Sequence, residues 1–263
     1  MPDPKKSDGV SAASKILQCK DLDMRRQAVA TCASKPAVFG ADFFAELLRE
    51  SFDPICLWYA ARSLGTLQSI ANLPLLIALL RKPDVAVGQS SLHRITASSI
   101  GLIGPSALRL IAPLLHAAEK HTQLAAIDTL GEIRAPEGAP LLADCLASED
   151  LDIALWSALS LSKIGPPALA TLTRHMNPAT PARTFLIIDA LVMMCRPDVL
   201  PSLAVVVQDY AALFEEYLRR APTEKRAALI MFVRYVAASS TGWSTNAQDI
   251  LRFLEAHDDD INS

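Results

Sequence analysis

Five histidines (His93, His116, His121, His175, His257) and five cysteines (Cys19, Cys32, Cys56, Cys145, Cys195) are the residues of this 263-residue chain best suited to metal or nucleophilic chemistry. A helical zinc pair wants two imidazoles three or four residues apart, so that both leave one face. No two of these histidines have that spacing; His116 and His121 are five apart and, on one helix, point to different sides. The cysteines include no C-x-x-C pair. An odd, scattered set without an export signal reads as buried, reduced thiols in a cytoplasmic protein. No G-x-G-x-x-G, P-loop or G-x-S-x-G motif occurs, and spacing assembles no Ser/His/Asp or Cys/His set. The sequence therefore assigns no catalytic residue, no metal ligand and no cofactor.

The elements that carry these residues are written as a repeat. "GLIGPSALRLI" from Gly101 and "SKIGPPALATL" from Ser162 share I-G-P-x-A-L sixty-one residues apart. That distance is two periods. Ala33, Gly65, Gly101, Gly131, Ser162 and Met193 recur near the ends of apolar-rich helical stretches at spacings of 32, 36, 30, 31 and 31. A period near thirty marks an array of helical hairpins. The first helix of each unit carries apolar residues at helical spacing, as in Leu57, Ala60, Ala61 and Leu64. Pro74, Pro140 and Pro201 fall eight or nine residues past their rungs, where a helix's first turn tolerates a missing N–H. The glycines at helix ends are expected to supply positive φ. No strand-like alternation of useful length appears, and the longest apolar runs, such as Leu73 to Leu80, are too short to span a bilayer.

The units resemble HEAT repeats of the short, phycobilisome-lyase HEAT-like subclass. "DLDMRRQAVATCAS" (Asp21 to Ser34) carries the Asp, the Arg (Arg25) and the small residue of that pattern; "AARSLGTL", "IDTLGEI" and "SSIGLIG" match its centre and end. The resemblance covers about residues 21 to 208. It implies an all-α fold, a right-handed α-α superhelix (HEAT/armadillo-like solenoid) of five to six helical hairpins. In the family the Arg commonly bonds across units, but Leu57, Gln123 and Ala154 replace it in later ones. Unit three is stretched in its leading loop, "PDVAVGQSS". Residues 1 to 20 are expected to form a flexible leader. Residues 209 to 263 read as three further helices and an acidic tail, either a cap for the solenoid or a partner-binding module, with the cap preferred. Some proteins resembling this family are di-iron hydroxylases with His-Glu ligand pairs; this chain has no His-Glu dipeptide.

Charge bears on partners. The chain has a formal net charge of −3, with 51% hydrophobic and 20% charged residues. Residues 1 to 208 hold nineteen basic and nineteen acidic side chains, whereas a phosphate track needs concentrated cations. Arg81 to Lys120 is locally basic, with five basic residues to two acidic, but His121 to Asp152 then holds seven acidic residues and one Arg. A duplex along the groove would cross that acidic block, so neither nucleic acid nor membrane is expected as a partner. In HEAT arrays the second helices form the concave side. The polar positions escaping their apolar stripe are Arg81, His116, Asp144, Arg174, Asn177 and Gln208, and Trp243 in a turn is a further anchor. Trp58 and Trp156, on first helices, are expected to be packed. The reading is a non-catalytic cytoplasmic scaffold or adaptor binding another protein along this face. The alternative is a phycobilin-lyase-type enzyme or accessory presenting a chromophore-carrying protein.

Overall fold

The computed structural model describes residues 12–195 and 197–238, with Asp249 and Arg252. Two compact units divide the chain, Met1–Leu141 and Leu142–Ser263. Among the described residues the fold is all-α apart from one two-residue ladder, and no single helix is long and apolar enough to cross a membrane.

The first unit holds α1 (Leu22–Ala33), α2 (Pro36–Glu50), α3 (Pro54–Thr66), α4 (Leu73–Leu80), α5 (Leu92–Ile103), the short α6 (Leu108–Ile111) and α7 (Lys120–Ile133). The first helices of successive hairpins, α1, α3, α5 and α7, pack in that order, and α2, α4 and α6 lie against them as second helices. Between them Phe43, Phe44, Leu47, Leu64, Leu76, Leu80, Ile100, Ile111 and Ile127 are buried. Helix starts follow from capping chemistry. Asp21 accepts from the N–H groups of Asp23 and Met24 at 2.9 and 3.0 Å, and Ser91 accepts from Arg94 at 3.2 Å. Pro36, Pro54 and Pro74 sit in the first turns of α2, α3 and α4. α2 is broken at Gly40, where φ is 78°.

The repeated phrase encodes a repeated turn. Gly104 ends α5 at φ 89°, ψ −154°, and its copy Gly165 adopts φ 87°, ψ −144°. Each is followed by one 3-10 turn (Pro105–Ala107 and Pro166–Ala168) before the second helix begins. These glycines meet the expectation of positive φ; Gly65 and Gly101 do not. They are small because helices touch there. A Cβ on Gly65 would lie 2.6 Å from Ser99 Cα, and one on Gly101 would lie 2.7 Å from the Glu132 carbonyl oxygen. Two hydroxyls buried along the first helices bond back to their own helix, Thr96 donating to Leu92 O at 2.6 Å and Thr129 to Ala125 O at 2.6 Å, while buried Thr184 donates off its helix to Asn177 O at 2.8 Å.

The lengthened loop of unit three forms a small antiparallel ladder, β1 (Ala86–Val87) with β2 (Ser90–Ser91), turning at Gly88 with φ 61°. The expectation that His116 and His121 share a helix fails. His116 ends a 3-10 turn (Ala112–His116), the chain is extended at Ala117, and His121 lies in the first turn of α7.

Helix α8 (Gly138–Leu146) contains the division between the units, with Pro140 in its first turn. The second unit continues with α9 (Leu151–Ile164), α10 (Leu169–Arg174), α11 (Pro181–Met193), α12 (Leu200–Asp209), α13 (Ala211–Arg220) and α14 (Thr223–Ala238). α9 packs on α11 and α10 against both; α13 and α14 cover α11 and α12. Asp150 caps α9 through the Asp152 N–H at 3.0 Å, copying the device at Asp21. Phe214 is fully buried and Tyr217 nearly so. The Tyr217 hydroxyl donates to Asp189 on α11, whose other oxygen pairs with the Lys225 ammonium on α14. Of the third helix expected beyond residue 240 only Asp249 and Arg252 are described, both helical, and its expected caps at Ser244 or Thr245 lie outside the described residues.

Candidate functional site

Two second helices of the first unit end alike, in two buried apolar residues and then an exposed polar one. Leu79 and Leu80 precede exposed Arg81; Leu114 and Leu115 precede exposed His116. In the second unit Asp144 is exposed beside buried Cys145 and Leu146, Arg174 and Asn177 are exposed around buried Met176, and Gln208 is half-buried after Val206 and Val207. Each of these six residues thus stands off its apolar stripe. Arg81 and His116 belong to the first unit and the other four to the second. Trp243 lies outside the described residues. Trp58 and Trp156 are half-buried, and Trp58 packs edge-on against Tyr59 with the Arg62 guanidinium 5.5 Å over its ring.

Two arginines tie neighbouring hairpins, and neither is Arg25. Arg25 Nε donates to Cys19 O at 3.1 Å, six residues away on the chain. Arg26 instead forks onto Asp53, with Nη2 to Oδ1 at 2.8 Å and Nε to Oδ2 at 3.1 Å. Asp53 caps α3 through the Cys56 N–H, so the ion pair fastens α1 to the start of the next first helix. Burial opposes the Asp53 charge, but hydrogen bonds from Arg26 and Cys56 outweigh it and hold the carboxyl below its ordinary range. In the second unit Arg183 on α11 donates to Ser148 O at 2.9 Å, just before α9. The thiols are subdued: burial and then Asp53 push Cys56 up to about 12, and burial raises Cys32, Cys145 and Cys195. A thiol so raised stays protonated, and the thiolate is the nucleophile.

Folding joins two histidines that sequence spacing leaves 28 residues apart. The rings of His93 on α5 and His121 on α7 stack with centroids 6.0 Å apart and planes 22° apart. His93 Nε2–H donates to Lys82 O at 2.7 Å, and His121 Nε2–H donates to Arg81 O at 3.3 Å. The two imidazoles therefore cap successive carbonyls just past the end of α4. Among the described residues no group of three or more His, Cys, Asp or Glu is placed to hold a metal ion.

Residues 107–191 match the family model for HEAT repeats. This segment consists of HEAT repeats. A chain of the Kap95p–RanGDP structure superposes with a TM-score of 0.62 at 11% identity, covering 93% of this chain and 37% of that one. This chain thus spans little more than a third of that relative's length, and the likeness is one of fold. A chain of the CpcE–CpcF phycocyanin lyase complex from Nostoc sp. PCC7120 aligns at 17% identity and TM-score 0.43, over 97% of this chain and 96% of that one. Human deoxyhypusine hydroxylase aligns at 13% identity and TM-score 0.33, over 89% and 97%. No curated protein sequence matches the chain. Of the residues singled out from the sequence, Arg81, His116, Asp144, Arg174 and Asn177 are exposed and Gln208 is half-buried. Sequence reasoning missed the Arg26 tie and the histidine stack, which depend on how one hairpin sits against the next.

Proposed function

We propose that the chain is a non-catalytic HEAT-repeat adaptor that holds a protein partner along the second-helix face. The observation that carries this reading is the exposure of polar residues on the second helices of each unit, Arg81 and His116 in the first and Asp144, Arg174 and Asn177 in the second. Side chains standing off a packed stripe are free to meet a partner without loosening the fold. Their mixture of cations, an anion, an amide and an imidazole suits protein recognition better than a phosphate track. Charges of both signs set the register of a partner and speed its approach.

The test is affinity capture of a partner by the full chain, followed by binding measurements with the purified pair. Reversing Asp144 and Arg174 together (Asp144→Lys, Arg174→Glu) is expected to weaken binding by about 1–3 kcal/mol for each desolvated hydrogen bond the variant removes. Association slows most at low salt. The melting temperature stays unchanged, since surface substitutions shift stability by within about 0.5 kcal/mol. Equal binding by wild type and variant would remove the second-helix face from the interface.

A further inference from the structure

The histidine stack does more than close a hairpin. By fastening His121 to Arg81 O and His93 to Lys82 O, it brings three stretches of chain, 81–82, 93–94 and 120–121, to one edge of the first unit. Arg81, Lys82 and Arg94 are all exposed there, and none of them makes an ion pair among the described residues. Two acids border these stretches: exposed Glu119 precedes Lys120, and Asp84 turns its Oδ1 to the N–H groups of Val85 and His93 at 2.9 and 2.8 Å. Three exposed cations and two imidazoles thus sit on stretches tied to one another, where the sequence shows only a diffuse basic run.

We propose that this edge docks a short acidic segment of the protein partner, a deepening that rests on the adaptor reading above. The chemistry selects carboxylates presented on a flexible chain. Arg81 and Arg94 offer planar forks that match carboxylates two bonds at a time, and Lys82 adds a point charge. Val85, 39% exposed beside them, gives such a segment an apolar neighbour. Three fixed cations are too few for a duplex track, and Glu132 and Glu137 follow in the same unit. The two rings hold the carbonyls of residues 81 and 82, so the cations ride on backbone already bonded.

The probe is a fluorescein-labelled peptide of eight glutamates, titrated by anisotropy against the full chain. Lys82→Gln with Arg94→Gln is expected to weaken it about tenfold at low ionic strength, the difference shrinking as salt rises. Lys20→Gln with Lys35→Gln, which removes the same charge elsewhere in the first unit, leaves the affinity unchanged. Equal affinity for the two double variants overturns the proposal, as does a wild type that fails to bind the probe. The chain's own acidic end is the competing occupant. If Asp258→Asn, Asp259→Asn and Asp260→Asn in the full chain tighten probe binding several-fold, the edge serves that segment and the assignment to a partner falls. Lys82 and Arg94 lie outside the second-helix row. A failure of the adaptor reading therefore shows in the Asp144 and Arg174 variant with the peptide response intact, and a failure here shows the reverse.

Discussion

At Gly65 a single hydrogen atom in place of a methyl lets α3 and α5 approach. An alanine there would set its Cβ 2.6 Å from Ser99 Cα, and the obstacle is backbone, which yields less readily than a side-chain end. Gly65→Ala is expected to cost about 1–3 kcal/mol by overpacking, read from the urea midpoint at unchanged slope. Gly104→Ala meets open space yet is strained by φ 89°, and loses on the order of 1–2 kcal/mol for that reason alone. Asp53 supplies a pH signature. Its carboxyl is held below the ordinary value in the folded chain, so the unfolded state binds the proton first as pH falls. The stability it lends is present above about pH 4 and drains away on further acidification. Asp53→Asn should flatten that acid limb in thermal melts taken between pH 5 and pH 2. These roles differ in how far the sequence shows them. A glycine before proline announces a turn, whereas a glycine inside a helix does not say which neighbour it admits. Arg25 fitted the repeat pattern, but one step along a helix turns a side chain by about 100°, and it is Arg26 that faces Asp53.

Helices α11, α13 and α14 meet through one polar knot, Tyr217 and Lys225 on the two oxygens of Asp189. Burial, and then the hydrogen bond and charge of Asp189, push the Tyr217 hydroxyl well above its usual range. The unfolded chain therefore loses the phenolic proton first, at about pH 10, and stability declines as pH rises beyond that point. Tyr217→Phe should abolish this alkaline decline. It should also destabilise at pH 7 by about 1–3 kcal/mol, because the half-buried Asp189 carboxylate loses a hydrogen-bond donor. The helices themselves were legible from the apolar period and the prolines: Pro74 and Pro201 sit in the first turns of α4 and α12 as expected. The ladder at Ala86 to Ser91 was not, since two-residue strands are too short to show alternation. Nor was the stack of His93 on His121. Spacing along one helix excludes only local pairs, and packing of α5 on α7 creates a distant one.

Across the second unit, α13 and α14 lie over α11 and α12 and bury Phe214, Leu229, Phe232, Val233 and Val236. Ending the chain after Gln208 would bare the apolar faces that these side chains cover. Such a truncation is expected to aggregate or to lose its melting transition in light scattering and calorimetry. A truncated chain that remains monomeric and melts like the full one would mark residues 209 onward as a binding module rather than a cap. Far-ultraviolet circular dichroism should show well over half helix, with negligible strand.

The touching rungs of the first unit also govern how it yields under load. At Gly65 against Ser99 and Gly101 against Glu132, neighbouring first helices meet with no room for a methyl group. Compression along that seam is resisted by hard backbone contact, while the second helices meet through rotatable Leu and Ile side chains. A stack stiff along one side and compliant along the other bends about its stiff side, as a book opens on its spine. A partner drawn to the second-helix face would accordingly spread or gather those helices while the glycine seam keeps its length.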